Sequence, residues 1–170
     1  MHKLSISDLH ILLVEPSATQ SKIIKTLLLA ENVQTVDVVQ NVEQAKASIM
    51  AHGADMVVST MYLADGNGLD ILRFIKDDDA NASIPFMLVS SENSISKLDE
   101  FKQAGVAAIL PKPFEPIHLS RGLNASLQLI NTDEIDLNYF EAQHVRVLLV
   151  DDSRLARNHI RRVLEGMGLS

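Results

Sequence analysis

Short apolar runs alternate with longer amphipathic stretches along the first 131 residues of this chain. Each run has the length of a β-strand, and most are continuously apolar, which is typical of strands buried on both faces of a parallel sheet. The amphipathic stretches between them have the spacing of helices. The pattern predicts an α/β fold, a doubly wound parallel sheet with helices on both faces. The predicted strands are Ile11–Val14, Thr35–Val39, Met56–Ser59, Phe86–Val89 and Ala107–Leu110.

In such a sheet, the loops that carry chemistry lie at the carboxyl ends of the strands. Polar or turn-forming residues follow four of the five predicted strands at this edge. The candidate site residues are Glu15, Pro16, Thr60, Ser90 and Lys112.

The composition excludes several classes of function. The formal net charge of -7 argues against nonspecific binding to nucleic acid or to an anionic membrane. Without cysteine there are no disulfides and no thiolate metal sites, which fits a reducing cytoplasm. No apolar stretch approaches the ~18 residues of a membrane helix. The six histidines show no metal-ligand spacing.

A repeated motif predicts a second module. Residues 11–17 (ILLVEPS) return as residues 147–153 (VLLVDDS), again followed by a helical pattern. A repeat at domain length indicates tandem copies of one module. We expect a first domain over 1–131, a linker over 132–144, and the first strand and helix of a second, truncated module over 145–170. The acid pair Asp151 and Asp152 would end the strand of this second module.

Two longer segments carry a family resemblance. Residues 54–69 (ADMVVSTMYLADGNGL) and 105–114 (GVAAILPKPF) resemble the third strand and the fifth strand of receiver domains from two-component response regulators. The resemblance implies a flavodoxin-like (βα)5 fold with strand order 2-1-3-4-5. Family members hold Mg²⁺ with two acids after the first strand and accept phosphate on an aspartate ending the third. A hydroxyl residue ends their fourth strand and a Lys-Pro pair ends their fifth.

Two of the three family acids are replaced in this chain. Thr60 occupies the phosphoacceptor position, and Glu15-Pro16 replaces the acid pair, whereas Ser90 and Lys112 are kept. We therefore expect a degenerate receiver that is not an enzyme, does not accept phosphate and has lost Mg²⁺ binding.

Further expectations concern the neighbours of these positions. Ile109 stands where the family often has an aromatic switch residue. Asp65 is expected to point away from the pocket and Asp55 to lie at the opposite end of its strand. We expect Glu15 to pair with Lys112, and the Lys112-Pro113 peptide is a candidate for the cis form.

The resemblance implies a protein-interaction or dimerisation module in a cytoplasmic phosphorelay, at the N-terminal end of a tandem-receiver response regulator. Expected partners are other response-regulator domains and a histidine kinase. Homodimerisation is expected through the C-terminal extension, whose strand 144–150 needs a sheet, or through the face formed by the fourth helix, fifth strand and fifth helix. Two alternatives stay open: an active receiver that takes phosphate by an unusual route, and a small-molecule binder on a flavodoxin-like fold.

Overall fold

The computed structural model describes residues 3–132, 158 and 160–163. The chain divides into two compact units, 1–133 and 134–170. In the second unit, residues 158 and 160–163 are helical. The acid pair Asp151 and Asp152 and the predicted strand 144–150 lie outside the described residues.

The first unit is built on a five-stranded parallel sheet with the order β2-β1-β3-β6-β7. Because β6 and β7 are its fourth and fifth strands along the chain, the predicted order 2-1-3-4-5 is confirmed. A short antiparallel pair, β4 with β5, follows β3 and was not predicted. The strands are β1 His10–Val14, β2 Thr35–Val39, β3 Met56–Thr60, β4 Tyr62–Leu63, β5 Gly66–Asn67, β6 Phe86–Ser90 and β7 Ala108–Pro111.

Local chemistry favours the starts of three helices of this unit and the end of one. The side chains of Ser17, Asn41 and Asn67 accept hydrogen bonds from backbone N–H groups in the first turns of α1, α2 and α3. Gly53, with a φ of 68°, ends α2 in a conformation that favours glycine. The helices are α1 Ala18–Ala30, α2 Val42–His52, α3 Gly68–Asp77, α4 Ile95–Gln103 and α5 Pro116–Thr132. A short 3₁₀ helix, Ile6–Asp8, precedes β1.

The sheet separates two hydrophobic cores. Ile11 and Leu13 of β1 face one core, which contains residues of α1 and α5, whereas Leu12 and Val14 face the other, which contains residues of α2, α3 and α4. Burying each such side chain contributes roughly 1.5–3 kcal/mol. Burial on both faces explains why this strand is continuously apolar.

Among the described residues, no helix is both long and apolar enough to cross a membrane.

Candidate functional site

The polar residues predicted for the site lie at one edge of the sheet. In the strand register, Val14 pairs with Ser59, Thr60 with Val89, and Ser90 with Pro111. All five strands are parallel, so their carboxyl ends meet at this edge. Glu15, Thr60, Ser90 and Lys112 are thereby placed together by the topology.

Glu15 and Lys112 form an ion pair at this edge. The Glu15 side chain is 5% exposed, and its Oε2 lies 3.4 Å from Nζ of Lys112, which is 25% exposed. Its other oxygen, Oε1, accepts a 2.9 Å hydrogen bond from the backbone N–H of Ser17. The expected pairing is therefore present. The Lys112-Pro113 peptide is cis, as predicted.

Thr60 and Ser90 end the neighbouring strands β3 and β6 at the same edge of the sheet. Thr60 is partly buried at the end of β3. Ser90 is buried, and its Oγ accepts a 3.0 Å hydrogen bond from the backbone N–H of Glu92. Ser90 therefore satisfies the backbone of its own loop, as a strand-end hydroxyl is expected to do.

Gly68, the first residue of α3, packs directly against the backbone of Thr60. A Cβ at position 68 would lie 2.7 Å from the carbonyl oxygen of Thr60. The N–H of Gly68 also donates a 2.8 Å hydrogen bond to the carbonyl of Met61. Glycine is required here for close approach of two backbone segments.

The two other acids near β3 are engaged elsewhere. Asp65 accepts hydrogen bonds of 2.8 and 3.0 Å from the N–H groups of Val42 and Glu43 at the start of α2. These bonds, that from Val42 first, lower the pKa of Asp65 from its ordinary value. Asp55 lies at the opposite end of β3 and accepts a 2.8 Å bond from the N–H of His10. Both acids lie where the sequence predicted.

The donor set at this edge does not fit Mg²⁺. This ion requires oxygen ligands in near-octahedral geometry, commonly including carboxylates. Here the second acid position is the exposed Pro16, the acceptor position is Thr60, and Glu15 already contacts an ammonium group. Within the part of the chain that the structure describes, no cluster of three or more His, Cys, Asp or Glu could hold a metal ion.

Sequence reasoning missed a three-residue cluster beside the site. The Tyr62 hydroxyl donates a 2.5 Å hydrogen bond to Oε2 of Glu92, and Nζ of Lys97 lies 3.1 Å from the same oxygen. Nζ of Lys97 is also 2.9 Å from the Tyr62 hydroxyl and 5.5 Å from its ring centroid. Hydrogen bonds from the Tyr62 hydroxyl, then from the backbone N–H of Ser94 and from Lys97, lower the pKa of Glu92 to about 2. We call Tyr62, Glu92 and Lys97 the clasp.

The sequence is similar to curated response regulators. One relative, the two-component response regulator ORR12 of Oryza sativa subsp. japonica, is 28% identical over 120 residues, which cover 70% of this chain and 98% of the relative. A second, ORR3 of Oryza sativa subsp. indica, is 25% identical over 115 residues, covering 68% of this chain and 88% of the relative.

Solved structures share the fold. The receiver domain of a sensor histidine kinase from Pseudomonas aeruginosa PAO1, described with a magnesium ion coordinated in its active-site cleft, superposes with a TM-score of 0.64 at 24% identity, covering 70% of this chain and 97% of that one. The signal receiver domain of a LuxO repressor protein from Vibrio parahaemolyticus gives 0.67 at 20% identity, covering 78% and 98%.

The family model for the response regulator receiver domain matches residues 11–124, which contain all five strands of the parallel sheet except the first residue of β1. This match covers most of the first unit and well over half of the chain. The chain therefore belongs to the response regulator receiver family.

Proposed function

We propose that the first unit is a pseudo-receiver that is not phosphorylated and serves as a protein-interaction module in a two-component phosphorelay. The observation that carries this proposal is the pairing of Lys112 with Glu15, beside a threonine at the acceptor position. The cation that a phosphoryl group would need already has a carboxylate partner.

Electrostatics support this assignment. An anion brought to Lys112 approaches Glu15, whose Oε2 is only 3.4 Å from the ammonium nitrogen. Two like charges about 6 Å apart repel by about 3 kcal/mol at an effective dielectric of 20. Receivers that accept phosphate offset such repulsion with a divalent cation, and the donor set here does not fit one.

The proposed partners are proteins of the same relay, including other response-regulator domains, a histidine kinase or a second copy of this chain. The face formed by α4, β7 and α5 is the candidate surface. Ile95 of α4 is 76% exposed and Ile117 of α5 is 49% exposed. A groove of about 290 Å³ between β7 and α5 is lined by Ile109, His118 and Arg121, among others. Apolar side chains beside a groove are typical of interaction surfaces.

The repeat of residues 11–17 at 147–153 supports a tandem arrangement, in which the first unit orients or dimerises the second. Asp151 and Asp152 provide the intact acid pair of that second receiver in this proposal. The lack of cysteine and the relay context support a cytoplasmic location.

Phosphorylation is tested by incubating the chain with Mg²⁺ and acetyl phosphate and measuring its intact mass. We expect no phosphoryl adduct, whereas a receiver with an intact acceptor aspartate, treated in parallel, gains one. The Thr60→Ala variant serves as the matched control. An adduct on the wild-type chain that disappears in this variant would refute the proposal.

The interaction role is tested by sedimentation of the wild-type chain and two charge variants. We expect a concentration-dependent dimer that Ile95→Glu weakens, because a charge on the apolar face must be desolvated on association. Met50→Glu is the matched control, since Met50 is 75% exposed but lies on α2. Equal dimerisation of both variants would exclude the α4 face as the contact surface.

A further inference from the structure

The clasp joins the segments that follow the neighbouring strands β3 and β6. Tyr62 lies two residues after Thr60, the last residue of β3, and Glu92 lies two residues after Ser90, the last residue of β6. Lys97 lies in the first turn of α4. The contacts among these side chains therefore connect the two loops at the edge of the sheet where the candidate site lies.

Glu92 also caps α4. Its Oε1 accepts hydrogen bonds of 3.0 and 2.9 Å from the N–H groups of Asn93 and Ser94, while its Oε2 is held by Tyr62 and Lys97. Within the described residues, the Ser94 side chain does not cap this helix. One carboxylate thus connects the start of α4 to the loop after β3.

We propose that the clasp fixes the N-terminal end of α4 against the loop after β3 and so holds the α4 face in one conformation without phosphorylation. This inference rests on the proposed function, because it explains how a receiver that takes no phosphate presents a constant surface to its partner.

The alternative is that Glu92 and Lys97 form an ordinary surface ion pair, in which Tyr62 has no part and which does not couple α4 to the loop after β3. Two observations separate the clasp from such a pair. The Glu92 side chain is only 17% exposed although Lys97 is 54% exposed. Glu92 also links the Tyr62 hydroxyl, after β3, to the backbone N–H groups just before α4, so removing that hydroxyl breaks the direct bond between the two segments.

Hydrogen exchange of the α4 amides in the full chain tests this inference. The amide of Leu98, which donates to the carbonyl of Ser94, reports on opening of the first turn. We expect Tyr62→Phe and Lys97→Met each to lower the protection factor of Leu98, its exchange relative to an unstructured chain of the same sequence, by about threefold, the scale of an exposed polar contact. Tyr62 is 58% exposed, so removing its hydroxyl leaves the core unchanged.

The matched control is Lys102→Met, which removes another ion pair of α4, to Asp99 at 3.4 Å. Its exchange at Leu98 should equal that of the wild type. Wild-type exchange in Tyr62→Phe, or equal acceleration in the control, would overturn the inference. The phosphorylation assay is separate: an adduct at Thr60 with accelerated exchange in the clasp variants would refute only the proposed function.

Discussion

Removing the ammonium group of Lys112 should destabilise the first unit through Glu15. In Lys112→Met, the alkyl stem is kept but the 5% exposed Glu15 carboxylate loses the cation that lies 3.4 Å away. The hydrogen bond from the Ser17 N–H to Oε1 is retained. The double variant, with Glu15→Gln added, removes the uncompensated charge as well.

The loss of unfolding free energy in Lys112→Met should lie between two limits. Removing one partner of a fully buried ion pair costs about 3–5 kcal/mol, whereas an exposed pair contributes about 0.2–1 kcal/mol. Because Lys112 is 25% exposed and the pair is long, we expect Lys112→Met to cost about 1–2 kcal/mol, with a coupling energy of about 1 kcal/mol to Glu15. The melting temperature should fall by about 3–8 °C.

The wild type, the two single variants and the double variant form a double-mutant cycle, and urea denaturation measures the stability of each. Unfolding is followed by circular dichroism, because the chain has no tryptophan for fluorescence. The double variant should be no less stable than Lys112→Met alone, because Glu15→Gln relieves a buried charge that has lost its partner. If the two substitutions instead add within about 0.3 kcal/mol, the residues are energetically independent. That result would show that the ion pair between Glu15 and Lys112 does not stabilise the first unit.

Three further predictions follow from the described contacts. Gly68→Ala should destabilise the unit by about 1–3 kcal/mol in urea denaturation, because the new methyl group meets the Thr60 carbonyl, and a stability equal to wild type would contradict that packing. Asp65→Asn should lower the melting temperature, because the Asp65 carboxylate caps the start of α2. The stabilisation by this carboxylate is present above its ordinary pKa of 3.8 and is lost as pH falls through its lowered pKa in the folded protein. If the variant and the wild type lose stability equally on acidification, Asp65 does not cap α2. A carboxyl ¹³C titration should give Glu92 a pKa of about 2. The ionised Glu92 therefore stabilises the folded unit above about pH 4.5, and this stabilisation is lost on acidification toward pH 2. Tyr62→Phe should raise the pKa of Glu92 toward 4.5, because the Tyr62 hydroxyl is the main cause of the lowering.

Much of the fold could be predicted because the decisive signal is local in the sequence. A strand buried on both faces needs continuous apolar residues, and β1, β3 and β6 have them. The start of α2 is also a local feature, since Asn41 accepts a bond from the N–H of Gln44, three residues later. The strand order came from the family resemblance, because local patterns do not specify which strands pair.

The parts that could not be predicted depend on side chains brought together by the tertiary structure. Tyr62, Glu92 and Lys97 are separated by up to 35 residues and carry no motif of their own. That Asp65 points away from the pocket was expected, but its role at the start of α2 was not, since it caps a helix 23 residues earlier in the chain. The Glu15–Lys112 pair was predictable because both positions belong to the family pattern.

The central claim is that the first unit no longer binds a phosphoryl group, and an amide NMR titration with Mg²⁺ and beryllofluoride tests it most directly. Beryllofluoride mimics an aspartyl phosphate and needs the acceptor carboxylate and the metal. We expect the amide signals of Thr60, Ser90 and Lys112 to stay unshifted throughout the titration. Saturable shifts of these signals would show a pocket that still binds a phosphoryl-like anion and would contradict the assignment as a pseudo-receiver.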